Sequence, residues 1–118
     1  MSRDFIDGDD GLIADDEVGV WAKEKHDLLC RYIDISRSAR AKYLPPKGKG
    51  GAGYIDLFCA TGRARIKNTN EWIDGSAVAA WKASVSGGAP FSKVIVGDAD
   101  QRCVDAMTAR LKALGAPV

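Results

Sequence analysis

Histidine is almost absent from the chain: His26 is the only one in 118 residues. The chain has no second histidine to complete a two-histidine metal pair. A helix-surface or packing role for His26 therefore competes with a contact to a ligand loop. Cysteine is sparse too. Cys30, Cys59 and Cys103 form no Cys-x-x-Cys pair, and an odd number cannot all pair internally. That usage points to a reduced, cytoplasmic compartment. No apolar run approaches the roughly 20 residues of a membrane span, and no basic-then-apolar segment opens the chain. Membrane-spanning and secreted readings are thus disfavoured. Neither GxGxxG nor GxxxxGK[ST] occurs, which argues against a nicotinamide or flavin Rossmann domain and against a P-loop.

What is present is ordinary for one globular domain, with 46% hydrophobic residues and 13 glycines. A domain of this size buries roughly two-thirds of its unfolded surface, enough for a modest core. Charge is unevenly spread beneath a net of +1. Residues 1–17 hold seven acids against Arg3, while the rest of the chain holds 16 bases and nine acids. Positive charge gathers between Arg31 and Lys49, where Arg31, Arg37, Arg40, Lys42, Lys47 and Lys49 face Asp34 alone. This stretch reads as a solvated helix face with a flexible basic loop, or as a nucleic-acid-facing patch, although the near-neutral total argues against a dedicated binder.

The acidic leader, residues 1–17, carries Gly8, Gly11 and few large apolar residues, so a flexible or loosely docked segment is expected. From Val18 to Tyr43, Trp21, Leu28, Tyr32, Ile35, Ala39 and Tyr43 recur at helical spacings, and Leu29 and Ile33 widen the stripe. This predicts a long amphipathic helix over 18–43. Pro45 and Pro46 end it, and residues 44–53 form a glycine-rich linker. Tyr54–Cys59 predicts a buried strand, Ala60–Gly75 a loop, Ser76 the cap of a helix burying Val78, Trp81 and Val85, Lys93–Gly97 a second strand, and Asp100 the cap of a last helix. That helix would bury Cys103, Val104, Met107, Leu111 and Leu114. The βαβα order over 54–115 predicts parallel pairing in an α/β fold.

Ligands of open parallel sheets bind beyond the carboxyl ends of the strands. Two such ends carry candidate chemistry. After the first strand, Ala60, Thr61 and Gly62 are small enough for a ligand to approach the backbone, and Gly62 can take positive φ. At the second tip, Asp98 can accept both hydroxyls of a ribose diol, or simply form a turn ahead of Asp100. Cys59 reads as a buried small hydrophobe or as a reactive thiol beside that loop. Arg63, Arg65 and Lys67 read as solvated loop charges or as attractors for a carboxylate or phosphate.

The run Tyr54-Ile-Asp-Leu-Phe-Cys-Ala-Thr-Gly-Arg63, with Trp21-Ala-Lys-Glu-Lys-His26 and Leu28-Leu-Cys-Arg-Tyr32 upstream and Gly75-Ser76 and Val94-Ile-Val-Gly-Asp98 downstream, resembles the three-Cys-motif partner protein family over residues 21–114. The resemblance implies a Rossmann-like class I methyltransferase fold binding S-adenosylmethionine. Asp56, Phe58, Ala60 and Gly62 would lie around the cofactor, and Asp98 would hold its ribose. It also implies a radical-SAM-like partner bearing a three-cysteine motif. Ala60 stands where the family has glycine, and only the first two β/α units of the parallel sheet are expected here, behind the long helix.

On this reading residues 18–118 are the N-terminal portion of a methyltransferase-like domain, inactive by itself, with an unknown methyl acceptor. The alternative is a non-catalytic interaction module that docks to that partner or self-associates through exposed sheet edges.

Overall fold

In the computed structural model, which describes residues 5–118, the acidic segment is folded rather than flexible. Strand β1 (Phe5–Asp7) turns back through Gly8–Gly11 into β2 (Ile13–Val18), pairing antiparallel with Ile6 opposite Ala14. Residues 1–4 of the expected leader lie outside the described residues. Two helices follow where one was expected. α1 (Trp21–Ile35) and α2 (Arg37–Ala41) are separated at Ser36, whose hydroxyl donates to the Ile33 carbonyl. Then come β3 (Gly53–Asp56), β4 (Arg63–Ile66), β5 (Trp72–Asp74), α3 (Ser76–Ser86), β6 (Lys93–Val96) and α4 (Gln101–Ala113). No helix among the described residues is long and apolar enough to cross a membrane.

The strands form two sheets, which overturns the expected single Rossmann-like parallel sheet behind a leading long helix. The larger sheet has the order β1-β2-β4-β5 and is mixed: β1–β2 and β4–β5 are antiparallel, β2–β4 parallel. The smaller is the parallel pair β3–β6, with Ile55 level with Ile95. Of the expected topology only this pairing is observed. The physical reason lies in residues 60–75, expected as loop. In β4, Ala64 and Ile66 are buried while Arg63 and Arg65 alternate with them, a half-buried strand whose outward side chains are cations. Those cations meet the acids of the first segment. Arg63 donates to Asp9 at 3.0 and 2.8 Å and to Asp74 at 2.8 Å, and Arg65 donates to Asp16 at 2.9 Å. The charges expected to be solvated are therefore a ladder joining β4 to the N-terminal hairpin.

Helix α1 also faces the other way from the expected stripe. Trp21, Leu28, Tyr32, Ile35 and Tyr43 are exposed, whereas Ile33 is buried and Leu29 packs against the core. Cys30 Sγ donates to the Ala79 carbonyl of α3 at 3.7 Å, so the Leu29–Cys30–Ile33 side is the one that meets the protein. Arg40, expected on a solvated face, is buried. Its Nε donates to the Ala89 carbonyl at 2.8 Å, its Nη1 to the Ile33 carbonyl at 2.9 Å, and its guanidinium lies 5.0 Å from the Phe91 ring centre.

The core lies between the β3–β6 pair and the helices: Val94 beneath, Val78 and Trp81 from α3, Met107 and Leu111 from α4, with Cys59 and Phe91 closing the ends. α4 keeps its expected face at Cys103, Met107 and Leu111, and Asp100 caps it by accepting the Arg102 amide at 3.0 Å; Leu114 is exposed. α3 buries Val78 and Trp81 but exposes Val85. Its cap position is Gly75. Ser76 spends its hydroxyl on Asp56 instead of on the helix end.

Candidate functional site

The carboxyl ends of β3 and β6 are tied together by main chain. Gly97 N–H donates to the Asp56 carbonyl at 2.8 Å, and Cys59 N–H returns to the Gly97 carbonyl at 2.9 Å. The chain then curls over the tip of β6. Ala60 N–H donates to Asp98 Oδ2 at 3.1 Å, while Asp98 Oδ1 accepts the Asp100 amide at 2.9 Å. Asp98 thus does serve a turn ahead of Asp100, and it also orders the loop from the first strand. Both expected tips meet in one place.

Two residues of that loop adopt left-handed backbone. Gly62 has φ of 93°, and a side chain there would meet Met107 Sδ at 2.9 Å and Arg110 Cδ at 3.2 Å. Only glycine combines that torsion with that proximity. Ala60 has φ of 52°, a conformation that strains a residue bearing a Cβ. Between them, Thr61 is fully buried and donates its hydroxyl to the Asp15 carboxylate at 2.9 Å.

Asp56 points back toward the helices. Its Oδ1 accepts Phe58 N–H at 3.1 Å and its Oδ2 accepts the Ser76 hydroxyl, so it braces the loop from below. Tyr54 sits beside this pair, and burial, with the Asp56 charge second, pushes its phenol up to about 12. Cys59 is buried, and burial followed by the Asp98 and Asp56 carboxylates pushes its thiol up to about 11. A thiol so raised stays protonated at neutral pH, so the packing role holds and the nucleophilic one does not.

Phe58 is 88% exposed at the turn after β3. Behind it opens a cleft of about 190 Å3, lined by Phe58, Ala60, Gly62, Asp15, Ser76 and His26 among others. That is below the roughly 300–1,000 Å3 of small-molecule pockets, so the cleft has room for no more than part of a molecule of cofactor size. The lone histidine shares the lining of this cleft with the loop residues. Among the described residues no cluster of three or more His, Cys, Asp or Glu could hold a metal ion.

The structure therefore gathers Asp56, Phe58, Ala60, Gly62 and Asp98 at one end of the β3–β6 pair. It adds Asp15 and Arg110, which sequence reasoning missed, and gives Thr61 and Ser76 their side-chain partners in Asp15 and Asp56. Arg110 is the least legible: a buried guanidinium on an apolar helix face, donating to the Thr61 and Ile13 carbonyls at 2.7 Å each. Its one sequence signal is a cation three residues after Met107 and seven after Cys103, on the helix face those apolar residues mark. Set against protein-family models, curated proteins and solved structures, the chain matches none of them.

Proposed function

We infer that the loop 56–62 and Asp98 bind the nucleoside part of S-adenosylmethionine or a closely similar sulfonium nucleoside. The observation that carries this reading is the hydrogen bond from Ala60 N–H to Asp98 Oδ2, which brings a glycine-containing loop and a strand-end carboxylate to one point beside an exposed aromatic ring. A ribose diol would be held by the same carboxylate that orders the loop. The Phe58 ring would stack on a base, and the close-lying backbone around Gly62 would admit the amino-acid end. The resemblance to three-Cys-motif partner proteins supports the same ligand through Asp56, Phe58 and Gly62.

These residues bind and orient; they do not complete a transfer. When bound, S-adenosylmethionine supplies an activated methyl group, and its displacement requires an acceptor held in line within the same walls. A cleft of about 190 Å3 leaves no room for both reactants. The function that follows is ligand binding without methyl transfer by these residues alone.

Calorimetric titration of the chain with S-adenosylmethionine tests this, together with Asp98→Ala and Asp98→Asn. Saturable binding that weakens at least about tenfold in Asp98→Ala is expected, because two hydroxyl bonds are lost with the carboxylate. Binding that ignores Asp98, or no binding to a folded chain, would overturn the assignment.

A further inference from the structure

The helical layer is one element wider than the small sheet it covers. α4 packs on β6, α3 packs on β3, and α1 packs against α3. α1 therefore overhangs a position where, among the described residues, the β3–β6 sheet has no strand. Beneath the overhang runs a groove of about 420 Å3, walled by Leu29, Tyr32 and Tyr43 on the helical side and by Gly53, Tyr54 and Phe91 on the sheet side.

The edge of β3 that borders this groove carries unused main-chain groups. The Ala52 and Asp56 carbonyls accept from Ser92 and Gly97 on the β6 side, at 2.8 Å each. Backbone groups alternate sides along a strand, so Gly53 and Ile55 turn their N–H and C=O away from β6. The side chains agree that this is no finished edge. Ile55 is 63% exposed and Ile95, level with it, 45%, on the sheet face opposite the helices. A parallel strand apolar on both faces belongs inside a sheet, and natural edges carry charges or proline instead.

We propose that the free edge of β3 is the docking edge for an extended apolar strand from a partner polypeptide. The strand pairs with Gly53 and Ile55 through its main chain and lays its side chains under α1, against Tyr32 and Tyr43. A polypeptide backbone is the ligand that repeats donors and acceptors at the spacing this edge needs. Apart from Ser36 and Arg40, whose Nε and Nη1 are spent on the Ala89 and Ile33 carbonyls, the walls are aromatic and aliphatic and favour apolar side chains over phosphate or a lipid headgroup. A second copy of the chain does not fit. Pairing two β3 edges antiparallel about a two-fold axis would drive the α3 of one copy into the place α1 holds in the other.

The test titrates the isotope-labelled full chain with a synthetic peptide carrying the Lys93–Val96 sequence between solubilising lysines, and with the same peptide bearing proline in place of its isoleucine. Saturable shifts are expected at the Gly53 and Ile55 amides and at the Tyr32 ring. The proline peptide should bind at least about tenfold more weakly, since it cannot complete the ladder. Tyr32→Asp, at an exposed helix position, should weaken the first peptide to a similar degree while leaving the spectrum dispersed. Equal response to both peptides, shifts confined to β6, indifference to Tyr32→Asp, or no saturable shift would each overturn the proposal. Concentration-dependent shifts at Gly53 and Ile55 in the chain alone would assign the edge to a second copy, and would overturn it too.

Discussion

Arg110 and Asp10 stand 100 residues apart in sequence and meet through two parallel hydrogen bonds of 2.8 Å, Nε to Oδ2 and Nη2 to Oδ1. The same guanidinium reaches the Ile13 and Thr61 carbonyls. One side chain of α4 therefore fastens the N-terminal hairpin and the candidate ligand loop together.

Removing that side chain strands buried carbonyls. Arg110→Ala is expected to cost about 3 kcal/mol, measured by urea unfolding, because each orphaned acceptor carries a desolvation penalty of about 1–3 kcal/mol. Arg110→Lys should recover less than half of that loss, since an ammonium cannot form the fork that spans carboxylate and carbonyls. A loss under about 1 kcal/mol for the alanine variant would mean that water takes over these bonds.

Acid should loosen the hairpin first. The carboxyls of Asp9 and Asp10 are held below their ordinary value of 3.8, chiefly by hydrogen bonds from Arg63 and Arg110, against an opposing desolvation effect. A carboxyl whose folded pKa is depressed contributes stability that is complete above the unfolded value and is lost as pH falls through the folded one. Both contributions therefore stand at neutral pH and vanish below pH 3.8. Amide exchange in residues 5–18, followed from about pH 5 down to pH 2, should accelerate ahead of exchange in α4. Asp10→Asn should flatten this acid limb. Simultaneous loss across the chain would show that the hairpin does not open on its own.

The two left-handed residues of the loop should respond in opposite directions. Ala60→Gly relieves a Cβ held at φ of 52° and is expected to stabilise the chain by about 0.5–1 kcal/mol, net of glycine's larger unfolded-state entropy. Gly62→Ala adds a Cβ at φ of 93° within 2.9 Å of Met107 Sδ and should destabilise by at least about 2 kcal/mol. Thermal melts of the two variants decide this. A destabilised Ala60→Gly would show that the methyl group makes a packing contact worth more than its strain.

How legible these features are in sequence depends on which side chains carry the pattern. β3 and β6 are rich in apolar and β-branched residues, so Tyr54–Asp56 and Lys93–Val96 read as strands and pair as expected. The Asp100 cap is read from one residue type at one position. β2 and β4 are hidden because half of each strand is charged: Asp16 in β2 and Arg63 and Arg65 in β4 look like solvated loop until they are set beside each other. Periodicity also cannot tell α1's two apolar stripes apart. Leu28–Tyr32–Ile35 and Leu29–Ile33 both repeat correctly, and contact with α3 selects the second. At the site, Asp56, Gly62 and Asp98 are visible because strand ends are marked by apolar runs. Asp15 and Arg110 come from elements whose proximity only the mixed sheet creates.

Alkylation should rank the cysteines by access. Cys59 and Cys103 are buried and Cys30 is intermediate, its thiol raised mainly by burial. Mass spectrometry of the native chain treated with iodoacetamide should find Cys30 modified first, with Cys59 and Cys103 protected until unfolding. Modification of Cys59 at the rate of Cys30 would contradict its buried, protonated state and revive a reactive role beside the ligand loop.

The pairing of β2 with β4 has a consequence for synthesis. The hairpin of residues 5–18 is the first described part of the chain to leave the ribosome, yet the arginines that neutralise its acids come at positions 63, 65 and 110. At about 5–20 residues per second, the nascent hairpin waits several seconds before Arg110 is made. Its acids lack those arginines until then, and their charge is expected to keep the segment solvated until the partner strand emerges. The acids that later hold the fold together thus first act as protection during the interval when nothing is there to hold.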